Sequence, residues 1–82
     1  MDKPTALKMR DYALRAADCM VKCSDIANAK LPEDEAKELQ KRAGRVLSSI
    51  YEEILLPLFR EHPNTIPEEI RDATRRRLGL AD

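Results

Sequence analysis

Two cysteines, Cys19 and Cys23, are the residues whose type and spacing most suggest a reactive or metal-binding site. Residues four apart share one face of a helix, so two thiolates there could bind a soft ion such as Cu(I) or Zn(II), or act in thiol redox chemistry. Zinc usually takes four ligands, and the further candidates are Met20 and His62. Because His62 follows far along the next helix, a metal site would need thiolates from two chains. Packing as small apolar residues explains the pair better, and we expect no cofactor.

The other candidate groups lack the partners that catalysis or binding would need. His62 is the only histidine, and the one basic run, residues 75–77, suits the C-terminal end of a helix. The acidic residues 33–35 resemble a helix start rather than a calcium loop. With two glycines in the whole chain, no glycine-rich phosphate loop can be built. We therefore predict that the protein is not an enzyme, and that it binds neither nucleic acid nor a small-molecule substrate.

Composition points to one helical domain over residues 1–82. Hydrophobic residues make up 43% and charged residues 37%, and the formal net charge is zero, so no overall charge attracts the chain to nucleic acid or to an anionic membrane. No apolar run approaches the ~18 residues of a membrane span, and the N-terminus does not follow the order of a signal peptide. These features favour a cytoplasmic protein with reduced thiols.

The first predicted helix runs over about residues 4–29, with Asp2 or Thr5 as its cap. Its main apolar line steps by three and four residues, as one helical face does, so we expect it to face the second helix. That line consists of Met9, Tyr12, Ala16, Cys19, Cys23 and Ile26. A thinner line on the other side consists of Leu7, Leu14 and Val21.

The second predicted helix runs over about residues 32–61, because Pro32 ends the first helix and acidic residues follow it. Pro57 should kink or end it nearby. Gly44 in its interior is expected to lie in close contact with the first helix. Thr65 and Glu68 resemble a capping box for a third helix over about residues 66–78. The fold class is therefore all-α, a long antiparallel hairpin with a short third helix.

Three helices of these lengths leave apolar surface without cover, and such surface marks association sites. We expect contacts with a protein partner on an exposed stripe composed of Leu14, Val21, Leu47, Tyr51 and Leu55. The partner is either a second copy, giving a homodimer with a four-helix bundle, or another protein. The predicted function is a non-catalytic protein-interaction module, such as a regulator, adaptor or inhibitor. The alternative is a metal-binding or thiol-redox protein that uses Cys19 and Cys23.

Overall fold

Every regular element in residues 1–79, the part of the chain that the computed structural model describes, is helical. In chain order the elements are α1 (Lys3–Lys30), α2 (Glu33–Ser49), a π-helical segment (Ile50–Leu55), α3 (Leu56–Glu61), two 3₁₀ turns (Pro63–Thr65 and Glu68–Ile70) and α4 (Arg71–Leu78). From α2 to α3 the helix is continuous, and we call residues 33–61 the second rod. The predicted hairpin with a short third helix is confirmed.

The sequence signals at the ends of α1 act as expected. The carboxylate of Asp2 accepts a hydrogen bond from the backbone N–H of Thr5 at 2.9 Å and caps the helix. Hydrogen bonding to Thr5 lowers the pKa of the Asp2 carboxyl, because it favours the charged form. At the other end Leu31 is extended, as a residue before proline prefers. Pro32 then leads into α2, which begins with three acidic residues.

Pro57 neither ends nor interrupts the second rod. A proline has no N–H to donate, and its ring crowds the carbonyl four residues earlier. The chain accommodates it with the π-helical segment Ile50–Leu55, after which the N–H of Leu56 donates to the carbonyl of Tyr51. A π-type bond spans one residue more than an α-type bond, so the side chains beyond it turn by roughly 100° relative to a regular helix.

The seam between the two long helices consists of small residues. Its buried alanines are Ala6, Ala17 and Ala27 on α1 and Ala36 and Ala43 on α2. Small side chains let two helix axes approach closely. The prediction for α1 is therefore wrong by one residue, because the buried line passes through Ala17 and Ala27 rather than through Ala16 and Ile26.

Gly44 does not take part in this seam. It is exposed, and a methyl group added at its Cα would meet nothing within 4 Å. The expected close contact between Gly44 and the first helix is therefore absent.

The main core lies at the end of the hairpin away from Pro32. Its buried members are Ala6, Leu55, Leu58, Phe59 and Ile66. The segment formed by residues 62–79 closes this end, and Leu14, Tyr51, Ile70 and Leu78 pack partly buried around it. The guanidinium of Arg10 fixes the segment by donating to the carbonyl of Thr65 at 2.9 Å.

The predicted capping box of the third helix does not form. The hydroxyl of Thr65 donates to the carbonyl of His62 at 2.7 Å, and it makes no bond to Glu68. The chain instead passes through the turn Glu68–Ile70 before α4 begins at Arg71. Gly79 ends α4 with a φ of 75°, a left-handed conformation that glycine adopts at little cost.

Candidate protein-interaction face

The apolar line that the sequence assigned to the interior of the hairpin is on its surface. Tyr12 is 68% exposed and Ile26 is 64% exposed, the largest values among the exposed large apolar residues of 1–79. Val46 and Ile54 of the second rod, each 44% exposed, extend this surface across the seam. We call this surface the open face; it consists of Met9, Tyr12, Ala16, Cys19, Cys23 and Ile26 of α1 and Leu39, Val46, Ile50 and Ile54 of the second rod.

Two concavities lie along the open face. The larger, of about 420 Å³, is lined by Lys8, Met9, Tyr12, Ala13, Ala16, Ile50 and Ile54. The smaller, of about 200 Å³, lies nearer the turn between the helices and is lined by Cys23, Ile26, Ala27, Lys30, Leu31 and Leu39. Among residues 1–79, a lysine is the only charged residue that lines each of them. The residues that line each concavity come from both helices, so the open face spans the width of the hairpin.

The segment that closes the main core does not reach the open face. No residue of 62–79 lines either concavity. That segment lies instead near Leu14 and Tyr51, and a third concavity between Tyr51, Leu56 and α4 marks the contact. Residues 62–79 therefore cover the other flank of the hairpin around Leu14 and Tyr51, although Val21 further along that flank stays 45% exposed. Within the part of the chain that the structure describes, nothing covers the open face.

Both cysteines are exposed, so the expectation that they pack between the helices is wrong. The buried line passes one residue further along, and this turns Cys19 and Cys23 about 100° out of the seam. Cys23 lines the smaller concavity. Residues 1–79 contain no group of three or more histidine, cysteine or acidic residues placed to hold a metal ion.

The residues predicted to bind a partner have different surroundings. Val21 is 45% exposed, whereas Leu14, Leu47 and Tyr51 are half-buried. Leu55 is fully buried in the main core, so its assignment to an exposed stripe is wrong. The π-helical segment explains this error, because Leu55 is its last residue and the wider turns of a π-helix change the directions of the side chains within it.

The outer surface of α1 carries charges in rows of one sign. Lys8, Arg15 and Lys22 follow one another at intervals of seven residues and border the open face. The guanidinium of Arg15 lies 5.2 Å from the centre of the Tyr12 ring, a cation–π contact. Lys22 pairs with Asp18 at 3.1 Å, and the hydrogen bond to Asp18 raises the pKa of the lysine. Within residues 1–79 the positive charge of this edge therefore rests on Lys8 and Arg15, which form no ion pair, whereas Asp18 compensates Lys22.

The remaining candidates have structural partners. His62 lies at the closed end of the hairpin, where its Nε2 is 2.8 Å from the carbonyl oxygen of Met1. The arginine run occupies the last turn of α4, as predicted for cations near a helix C-terminus. Arg77 forms an ion pair with Glu52 of the second rod, which holds α4 against the π-helical segment.

No helix in residues 1–79 has the length and apolar character needed to cross a lipid bilayer. Comparisons with protein-family models, with curated proteins and with solved structures found no match.

Proposed function

We propose that this chain is a non-catalytic interaction module that binds an α-helical polypeptide surface along the open face. The observation that carries the proposal is the position of the exposed large apolar side chains. Tyr12, Ile26 and Ile54 converge on one flank of the hairpin, beside two concavities lined almost wholly by carbon. Exposed apolar surface of this kind, bordered by charge, is typical of association sites.

The shape of the surface favours a helix as the bound element. A shallow groove between two antiparallel helices accepts a third helix, whose residues at intervals of three and four fill successive concavities. The two concavities lie along α1, with Tyr12 in one and Ile26 in the other. These residues are fourteen apart, which corresponds to ~21 Å at the rise of an α-helix. A helical segment of about four turns spans that distance.

Site-specific photocrosslinking tests this function by capturing whichever polypeptide lies against the open face. Tyr12→p-benzoylphenylalanine places a photoreactive ketone in the larger concavity, and Lys41→p-benzoylphenylalanine places it on the exposed outer side of α2. After irradiation in the producing cells, mass spectrometry should find adducts of the Tyr12 variant with a helical polypeptide segment. The Lys41 variant should give few. Equal yields at the two positions, or none at Tyr12, would refute the open face as a binding surface.

A further inference from the structure

Each end of the open face carries a lysine on one helix and a glutamate on the other. At the end near the turn, Lys30 lines the smaller concavity, and Glu35 lies one helical turn before Leu39 of the same concavity. At the far end, Lys8 lines the larger concavity, and Glu53 follows Ile50 by three residues. All four side chains are exposed, and none forms an ion pair within residues 1–79.

A second copy of the chain could cover this face in two symmetric ways, in each of which facing helices are antiparallel. In the first, α1 lies on the α1 of the other copy. The row of Lys8, Arg15 and Lys22 then meets the same row, and the like charges of Lys8 and Arg15, which no acidic residue of 1–79 pairs, oppose one another. In the second, α1 lies on the second rod of the other copy. Lysines then meet glutamates at both ends.

We infer that the open face binds a second copy in the second arrangement, with the twofold axis parallel to the helices. The inference rests on the proposed function, because it names the occupant of the same face. A rotation about that axis keeps each residue at its own height along the hairpin. Lys8 therefore faces the partner's Glu53, and Lys30 faces the partner's Glu35.

The apolar residues match in the same arrangement. Tyr12 lies at the height of Ile50 and Ile54, since the three line one concavity. It therefore projects towards the partner's Ile50 and Ile54. Ile26 lies at the height of Leu39 for the same reason, and projects towards the partner's Leu39. Each copy fills two concavities of the other, and the product is a four-helix bundle with two closed layers.

The open face is also large enough for a stable dimer. Two adjacent helices, each ~10 Å wide, over the ~33 Å from Lys8 to Lys30, the lysines at its two ends, give a footprint of roughly 660 Å². Because side chains make the accessible area larger than the footprint, this is comparable to the ~800 Å² that each partner buries in a standard interface.

Charge exchange between two variants tests both the occupant and the arrangement. One variant carries Lys8→Glu and Lys30→Glu, and the other carries Glu35→Lys and Glu53→Lys. Either variant alone opposes like charges at all four contacts, so its dimer should be tenfold weaker or more than the wild-type dimer. Mixed in equal amounts, the two variants oppose only unlike charges and should form a heterodimer. Sedimentation velocity at low salt measures all three samples, and circular dichroism of each variant checks that its helices remain.

The outcomes separate this inference from the proposed function. If the wild-type protein remains monomeric at about 100 µM, the inference that a second copy covers the open face is refuted. Such a dimer would have a Kd well above that concentration, and its binding free energy would be small. Adducts of the Tyr12 variant with a different protein would then uphold the open face as a binding surface. A wild-type dimer whose variants dimerise equally well, or fail to recombine, refutes the arrangement. A heterodimer that forms only on mixing supports the inference.

Discussion

Truncation of Ile26 separates binding at the open face from folding of the subunit. Ile26→Ala removes three carbon atoms, each worth about 0.8 kcal/mol when it is buried. Since the side chain is 64% exposed in the subunit, covering it with a partner buries roughly two thirds of that amount, or about 1.5 kcal/mol per copy. A symmetric dimer contains the residue twice. The dimer should therefore lose about 3 kcal/mol, a Kd more than 100-fold weaker.

Val21→Ala is the matched control. Val21 lies on the same helix and is 45% exposed, but it points about 140° away from Ile26. Sedimentation equilibrium should show the wild-type Kd within about threefold for this variant. At dilutions where all three proteins are monomeric, urea unfolding should place both variants within about 0.5 kcal/mol of wild type, because both side chains are largely in water.

The reasoning fails if Ile26→Ala leaves the Kd unchanged while the protein dimerises. It also fails if Val21→Ala weakens the dimer as much as Ile26→Ala does. That second result would place the dimer interface on the flank of Leu14, Val21 and Leu47, where the sequence analysis predicts the partner contacts.

Two further predictions concern the stability of the subunit, and urea unfolding measures both. Gly44→Ala should raise the free energy of unfolding by roughly 0.8 kcal/mol, because the site is helical, exposed and free of neighbours within 4 Å. Gly79→Ala should lower the free energy of unfolding, since Gly79 has a positive φ. Destabilisation by Gly44→Ala together with stabilisation by Gly79→Ala would contradict the backbone geometry at these two positions. Ala17→Leu should destabilise by about 1–3 kcal/mol through overpacking of the seam. Ala29→Leu, on the exposed side of α1, should change stability by less than about 0.5 kcal/mol, and equal effects at the two positions would argue against a tight seam.

The ends of α1 and the start of α2 could be predicted because they depend on local chemistry. Pro32 restricts Leu31 to extended backbone, and the carboxylate of Asp2 caps α1, whatever the rest of the chain does. The continuation of the second rod through Pro57 depends on how the preceding helical turns adjust to the proline ring. The sequence indicates that the helix is disturbed there but does not give the form of the disturbance, a π-helical segment.

The inner face of α1 could not be identified from apolar character alone. The exposed line contains larger apolar residues, such as Tyr12 and Ile26, than the inner one, which includes Arg10 and three buried alanines. A charged residue such as Arg10 argues against a buried line when only the sequence is considered. In the structure its guanidinium extends beyond the seam and donates to the carbonyl of Thr65. A usable signal was the recurrence of alanine at positions 6, 13, 17 and 27 opposite alanine at 36 and 43.

An alanine seam explains why this small chain has an uncovered flank. Because Ala17 and Ala43 fill the space between the helices, the larger apolar residues of α1 are placed on both sides of the seam rather than within it. On one side the segment of residues 62–79 covers Leu14. On the other, Tyr12 and Ile26 stay in water. The close approach of α1 and the second rod thus creates two apolar flanks, and in the described residues 1–79 one short segment, 62–79, is left to cover them. We therefore expect the second flank to require a partner, whether or not that partner is a second copy.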